Sequence, residues 1–143
     1  MRILITGGCG FVGSNIAIFL KNKKKNYKID SLDNLSRKGS KLNLIRLKEN
    51  GIKNIKCNVE INKSVKLLSD NYDLIIDCCA EPSIEASRKE IDKVFNTNLI
   101  GTLNLLKKYS PRKTNIIFIS SSRVYPIEKI RNKYTKNFNI KKK

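Results

Sequence analysis

Thr6-Gly7-Gly8-Cys9-Gly10-Phe11-Val12-Gly13 sets glycines at positions 7, 10 and 13. Each has a physical use at a dinucleotide. Gly7 permits a tight turn out of a strand, and Gly10 lets the backbone approach a pyrophosphate with no side chain between. Gly13 lets a helix pack close to the sheet. A helix starting at this loop offers free N–H groups and its positive dipole end to phosphates. A glycine pattern alone is weak evidence. Here an apolar run, Arg2-Ile3-Leu4-Ile5, precedes it and a helical pattern follows, which is the required context. The partner of such a loop is an acid at the end of the second strand, where it holds ribose hydroxyls. Asp33 lies 20 residues beyond Gly13 (33 − 13) and fits, whereas its rival Asp30 falls inside the strand. A carboxylate there favours NAD over NADP because it repels a 2′-phosphate, although Arg37 and Lys38 stand near enough to soften that preference.

Other reactive types are few. The four cysteines, Cys9, Cys57, Cys78 and Cys79, form no Cys-x-x-Cys pair, and there is no histidine. The usual spacing of a structural zinc site is therefore missing, and no metal site is expected. Cys78 and Cys79 would point to opposite faces of a strand, so reduced, partly buried thiols are expected. Tyr125 and Lys129 stand four apart, but Pro126 disfavours a helical conformation at Tyr125, so their geometry for proton abstraction is poor.

The elements that must position these residues follow from the apolar pattern. Val12, Ile16, Phe19 and Leu20 share a helix face, and Lys21 to Lys25 suit that helix's C-terminus. A strand is expected over Tyr27 to Leu32, then a polar loop from Asp33 to Ser40 and a helix carrying Leu42, Ile45 and Leu47. Ile52 to Val59 holds a third strand, and Val65, Leu67 and Leu68 suggest a short helix. Leu74-Ile75-Ile76 is continuous rather than alternating, as a strand covered on both faces requires. A long helix carries Phe95, Leu99, Leu103 and Leu106 and ends at Pro111, and a fifth strand spans Asn115 to Ser120. Alternating strands and helices imply an α/β fold: a Rossmann-type parallel sheet of about five strands with helices on both faces. Residues 1–126 form the expected NAD-binding domain. From Ile127 to Lys143 seven of seventeen residues are Lys or Arg, and a loosely ordered basic tail is expected.

The chain's 143 residues fit one domain, and its apolar content of 40% supports a core. No run of about eighteen apolar residues exists, so no membrane partner is expected. The N-terminal apolar run is broken at once by Thr6-Gly7-Gly8 and reads as no signal peptide, so a cytoplasmic location is expected. The net charge of +18 raises the question of nucleic acid. The lysines, however, are spread through every segment together with Ile and Asn, which reads as nucleotide bias. Specific nucleic-acid binding is disfavoured, and the charge also suits anionic dinucleotides and sugar nucleotides.

The spacing Gly-x-x-Gly-x-x-Gly, preceded by Thr6 and closed by Phe11-Val12-Gly13, resembles the extended short-chain dehydrogenase/reductase family of nucleotide-sugar epimerases and dehydratases. Several further stretches, over roughly the first 125 residues, carry the resemblance. Asp33-Asn34-Leu35 is similar to the family's adenosine-ribose segment, and Asn58-Val59 sits where an Asp-Val or Asp-Ile lies beside the adenine. Cys78-Cys79-Ala80 takes the place of small apolar residues along the cofactor. Asn98-Leu99-Ile100-Gly101-Thr102 resembles a helix whose Asn braces the cofactor side of the site. Ser120-Ser121-Ser122-Arg123-Val124-Tyr125 resembles the strand-five Ser-Ser motif. Asp33 to Gly39 and Gly101 to Leu106 look most like a branch that epimerises CDP-linked sugars.

The resemblance implies bound NAD, a nucleotide-sugar substrate, transient oxidation of a sugar hydroxyl and return of the hydride. It places the substrate-bonding Ser on Ser121, with Ser120 and Ser122 as neighbours not excluded. The chain also departs from the pattern: Asn58 replaces an Asp, Asp77 a His, and Pro126 a Gly. The family's catalytic Tyr-x-x-x-Lys comes about two dozen residues after the Val-Tyr tyrosine, which here is Tyr125 itself. The base and the C-terminal substrate domain are thus expected to be absent, with strand five an uncovered edge. A fragment, a natural truncation or a partner chain would each account for this, and a homo-oligomer is compatible with it. A non-enzymatic NAD module and a basic nucleic-acid binder are the alternatives to an inactive epimerase portion.

Overall fold

The computed structural model describes residues 1–120 and 126–135. Its elements run β1 (Arg2–Thr6), α1 (Phe11–Lys23), β2 (Lys28–Asp33), α2 (Ser40–Glu49), β3 (Lys53–Lys56), α3 (Asn62–Lys66), β4 (Leu74–Asp77), α4 (Ile84–Lys89) and α5 (Ile91–Phe95). A π turn (Asn96–Ile100), α6 (Gly101–Tyr109), a 3-10 turn (Ser110–Arg112), β5 (Asn115–Phe118) and α7 (Ile127–Thr135) follow. The five strands lie in the order β3-β2-β1-β4-β5, and every neighbouring pair is parallel. The Rossmann-type sheet expected from the sequence is therefore present.

The continuous apolar strands are explained by cores on both faces. Leu4, Leu32 and Ile75 pack with Val65 of α3 and with Leu105 and Tyr109 of α6. Ile3, Ile5, Ile29 and Ile76 pack with Ala17 of α1 and Leu47 of α2. Alternate residues of one strand thus serve opposite faces, and each buried Leu or Ile contributes about 2 kcal/mol.

The helix faces differ from the sequence expectation. In α1 the buried residues are Gly13, Ser14 and Ala17, while Val12 and Phe19 stand exposed. The small residues win because they allow the helix to approach the glycine loop. In the second half, Phe95, Leu99, Leu103 and Leu106 form an exposed stripe, and Leu105 and Tyr109 occupy the core. Leu42 and Ile45 of α2 are likewise exposed, and of the three apolar residues read onto that helix only Leu47 is buried. β5 is a sheet edge on which Ile117 and Phe118 are about half exposed. Residues 127–135, read from the sequence as a loose basic tail, form α7.

Candidate functional site

A parallel sheet gathers its loops at the C-terminal ends of its strands, and the glycine loop leaves β1 there. Gly7 has φ +59°, a region that favours glycine, and a Cβ on it would lie 2.6 Å from the Cys78 carbonyl oxygen. Gly10 N–H donates to the Gly7 carbonyl at 2.9 Å and closes the turn. Gly10 then serves as the N-cap of α1 with no side-chain cap bond. The first-turn N–H groups are left for a ligand. Gly13 packs against the loop rather than the strand, with Gly8 Cα at 2.8 Å from where its Cβ would be. Gly8 is equally constrained, by Ser31 and the Ile5 carbonyl, a role only the Gly7-Gly8 doublet hints at.

Asp33, at the end of β2, accepts from Cys9 N–H (3.0 Å) on Oδ2 and from Leu35 N–H (2.8 Å) on Oδ1. It thus ties the second strand to the glycine loop and retains lone pairs for hydroxyl donors. Leu35 is held at φ +60°, a strained conformation beside the cleft. The rival Asp30 is engaged elsewhere, with Arg2 Nη2 at 3.1 Å and Tyr72 Oη donating at 2.9 Å.

One helical stretch pins the remaining loops. Asn98 Oδ1 accepts from Glu81 N–H at 2.7 Å. Its Nδ2 donates to the Glu81 carbonyl at 3.3 Å. Thr102 Oγ1 donates to buried Asp77 Oδ2 at 2.8 Å, and Thr6 Oγ1 donates to Oδ1 at 2.5 Å. Asn104 Nδ2 donates to the carbonyls of Val59 (2.9 Å) and Glu60 (3.1 Å). Gly101 passes so close to Val59 that a Cβ would meet its Cγ2 at 2.7 Å. The π turn at Asn96–Ile100, which contains Asn98 and precedes Thr102, is the kind of local widening that recurs at functional sites.

Together these loops enclose a cleft of about 390 Å³. Of the residues singled out from the sequence, Gly7, Gly10, Asp33, Asn34, Asn58, Val59, Cys78, Cys79 and Ala80 line it. Phe11, Val12 and Gly13 do not: the side chain of Phe11 is 82% exposed, and Gly13 is packed beneath the loop. Asn98 acts from behind, through the Glu81 backbone. Ser121 and Tyr125 lie outside the described residues, and Ser120 is exposed. Besides Ser36 and Arg37 of the loop after β2 and Ser40 at the start of α2, which also line it, the sequence reading missed as lining residues Cys57, Glu60, Glu81, Lys93 and Thr97. Cys57, Glu60 and Glu81 adjoin residues that were read, and Thr97 precedes Asn98, whereas nothing in the sequence marks Lys93. A second Tyr-x-x-x-Lys spacing, Tyr109 and Lys113, is structural. Tyr109 is fully buried and its hydroxyl donates to the Ser69 carbonyl at 2.9 Å.

Among the described residues no cluster of His, Cys, Asp or Glu could hold a metal ion, and no helix is long and apolar enough to cross a membrane. The four thiols are free. Burial, reinforced by Asp33, raises Cys9 to about 11. Burial and Asp77 raise Cys78 to about 11 and Cys79 to about 12. These thiols stay protonated in the folded chain when an unfolded chain has begun to ionise, from near 9. The folded state therefore binds more protons between pH 9 and 11, and stability falls as pH rises through that window. A thermal midpoint that declines from pH 9 to 11 is expected in a melting series. A flat profile would show that the thiols are not sequestered.

The model of the NAD dependent epimerase/dehydratase family matches residues 3–142. The dTDP-D-glucose 4,6-dehydratase of Dictyostelium discoideum is 36% identical over 130 residues, covering 87% of this chain and 30% of that protein. The CDP-paratose 2-epimerase of Salmonella typhi is 35% identical over 132 residues, covering 87% and 38%. The solved UDP-glucose 4-epimerase of Bifidobacterium longum, in complex with NAD+ and UDP, superimposes with a TM-score of 0.73 at 28% identity, covering 88% and 38%. The chain thus spans about a third of the length of these relatives.

Proposed function

The chain belongs to the NAD dependent epimerase/dehydratase family, and on that premise we propose that it is the NAD-binding portion of a nucleotide-sugar epimerase similar to CDP-paratose 2-epimerase. The carrying observation is Gly10. A Cβ there would meet only the Gly7 carbonyl, at 3.0 Å, and would otherwise project into open space at the start of α1. That is the space a pyrophosphate needs beside unpaired N–H groups. Asp33 takes the adenosine ribose hydroxyls, and Asn58 and Val59 border the adenine. Cys78, Cys79 and Ala80 line the path toward the nicotinamide.

NAD bound here supplies the acceptor for a hydride from a sugar carbinol. The chain's own contribution is to bind and orient that cofactor, and Ser121 is assigned the hydrogen bond to the substrate hydroxyl. By itself the chain is expected not to turn over. Tyr109 spends its hydroxyl on the Ser69 carbonyl, and Tyr125 precedes a proline that opposes the helical Tyr–Lys geometry. Substrate chemistry then needs a base and a sugar-binding half from outside these residues.

Calorimetric titration of the 143-residue chain with NAD and, separately, with NADP tests the reading. Saturable NAD binding is expected, and no heat from a folded sample would sink it. Asp33→Ala is expected to weaken NAD about tenfold and NADP less, since only NAD offers a 2′-hydroxyl to the carboxylate. Loss of the Cys9 contact slackens the loop for both cofactors, so the ratio is the readout. Equal losses would remove Asp33 from the ribose role.

A further inference from the structure

Arg37 follows the ribose acid by four residues and lines the same cleft, where its guanidinium would be the natural partner of a 2′-phosphate. Its Nη1 instead donates to Glu81 Oε1 at 3.1 Å, across the cleft mouth. Glu81 is well placed to hold it. Its side chain is 8% exposed against 53% for Arg37, so the carboxylate is the fixed partner and the guanidinium the mobile one. Ser83 N–H donates to the same Oε1 at 3.1 Å, and Lys93 Nζ approaches Oε2 at 3.7 Å. Asn98 bonds both the N–H and the carbonyl of Glu81, which fixes its backbone. The other lining carboxylates are committed differently: Asp33 to the glycine loop, Glu60 to Thr97 Oγ1 at 2.5 Å.

We propose that Glu81 is a positioning residue for cofactor choice: by engaging Arg37 it withholds from the cleft the cation that would recognise the 2′-phosphate of NADP. The inference rests on the cleft holding a dinucleotide. It assigns NAD preference to two residues, Asp33 repelling the phosphate and Glu81 occupying its partner. Charge-assisted contacts to phosphate are strong, so releasing Arg37 has a measurable consequence.

Glu81→Gln keeps the size and an oxygen for Ser83 N–H while removing the charge. It is expected to raise NADP affinity about tenfold relative to NAD affinity, the ratio being the readout because Glu81 itself lines the cleft. Adding Arg37→Ala to that variant is expected to abolish the gain, and Glu81→Asp, which keeps the charge, to retain the original preference. An unchanged NAD-to-NADP ratio in Glu81→Gln overturns the proposal, as does an equal gain for both cofactors or a gain that survives Arg37→Ala. The unaltered chain provides a check that needs no variant. Its Arg37 guanidinium resonances are expected to be the same with either cofactor bound, and an NADP-specific shift would show that Arg37 already reaches the phosphate. Failure of the unaltered, folded chain to bind NAD would instead remove the dinucleotide reading, and this inference with it.

Discussion

Replacing Gly10 with valine is expected to abolish NAD binding, by at least about a hundredfold or roughly 2.7 kcal/mol, and to leave the fold standing. Gly10 has φ −75° and ψ 174°, extended backbone open to any residue, so valine introduces no backbone strain. Its Cβ would press only on the Gly7 carbonyl, and the branched methyls would fill the space assigned to the pyrophosphate. The decisive measurement is a titration of wild type and variant with NAD beside their melting curves. Retained affinity would refute the loop assignment. Lost affinity with a melting point lowered by many degrees would mean that the residue serves the fold.

Gly13→Ala is expected to give the opposite result. The added methyl would drive into the Gly7 carbonyl oxygen and come within 2.8 Å of Gly8 Cα, both backbone. The loop has nowhere to retreat. Gly8 N–H is bonded to the Leu32 carbonyl at 3.1 Å, and Gly8 already abuts Ser31. Overpacking of this kind costs about 3 kcal/mol, which lowers the melting midpoint of a domain this size by roughly 10 °C. A denaturant or thermal melt reads it directly. An alanine variant as stable as wild type would show that α1 can pull away from the loop. Two glycines three residues apart thus separate binding from folding.

Strands β1 and β4 and the glycine loop were legible because buried parallel strands write themselves as unbroken apolar runs, and Gly7 has no substitute at positive φ. Asp33 was legible by its distance from Gly13, and the structure separates it from Asp30, which is committed to Arg2 and Tyr72. The helix faces were legible only in part: Ile16, Leu20 and Leu47 meet the core as read, whereas Val12, Phe19, Leu42 and Ile45 do not. Periodicity marks an apolar stripe without saying whether anything covers it, and along α5 to α6 Phe95 and Leu99 face outward while Leu105 and Tyr109 form the core. Arg37 was legible as a residue able to modify cofactor choice, but its partner Glu81 lies 44 residues away in the chain and carries no local mark.

The π turn at Asn96–Ile100 makes this stretch tolerant of altered side chains and of the loss of one residue, but intolerant of a residue gained. Asn98 lies within that turn, and Thr102 and Asn104 beyond it, and each must reach a different loop. Removing one residue from the turn would restore regular α-helix and keep everything after it in phase, whereas adding one to the already widened turn would rotate everything after it by about 100°. Thr102 would swing off Asp77, and Asn104 off the Val59 and Glu60 carbonyls. Point changes at Leu99 or Ile100, whose side chains make none of these bonds, leave that phase intact. Sequence drift in this segment should therefore accumulate as substitutions or as a single-residue loss within the turn, and never as an insertion.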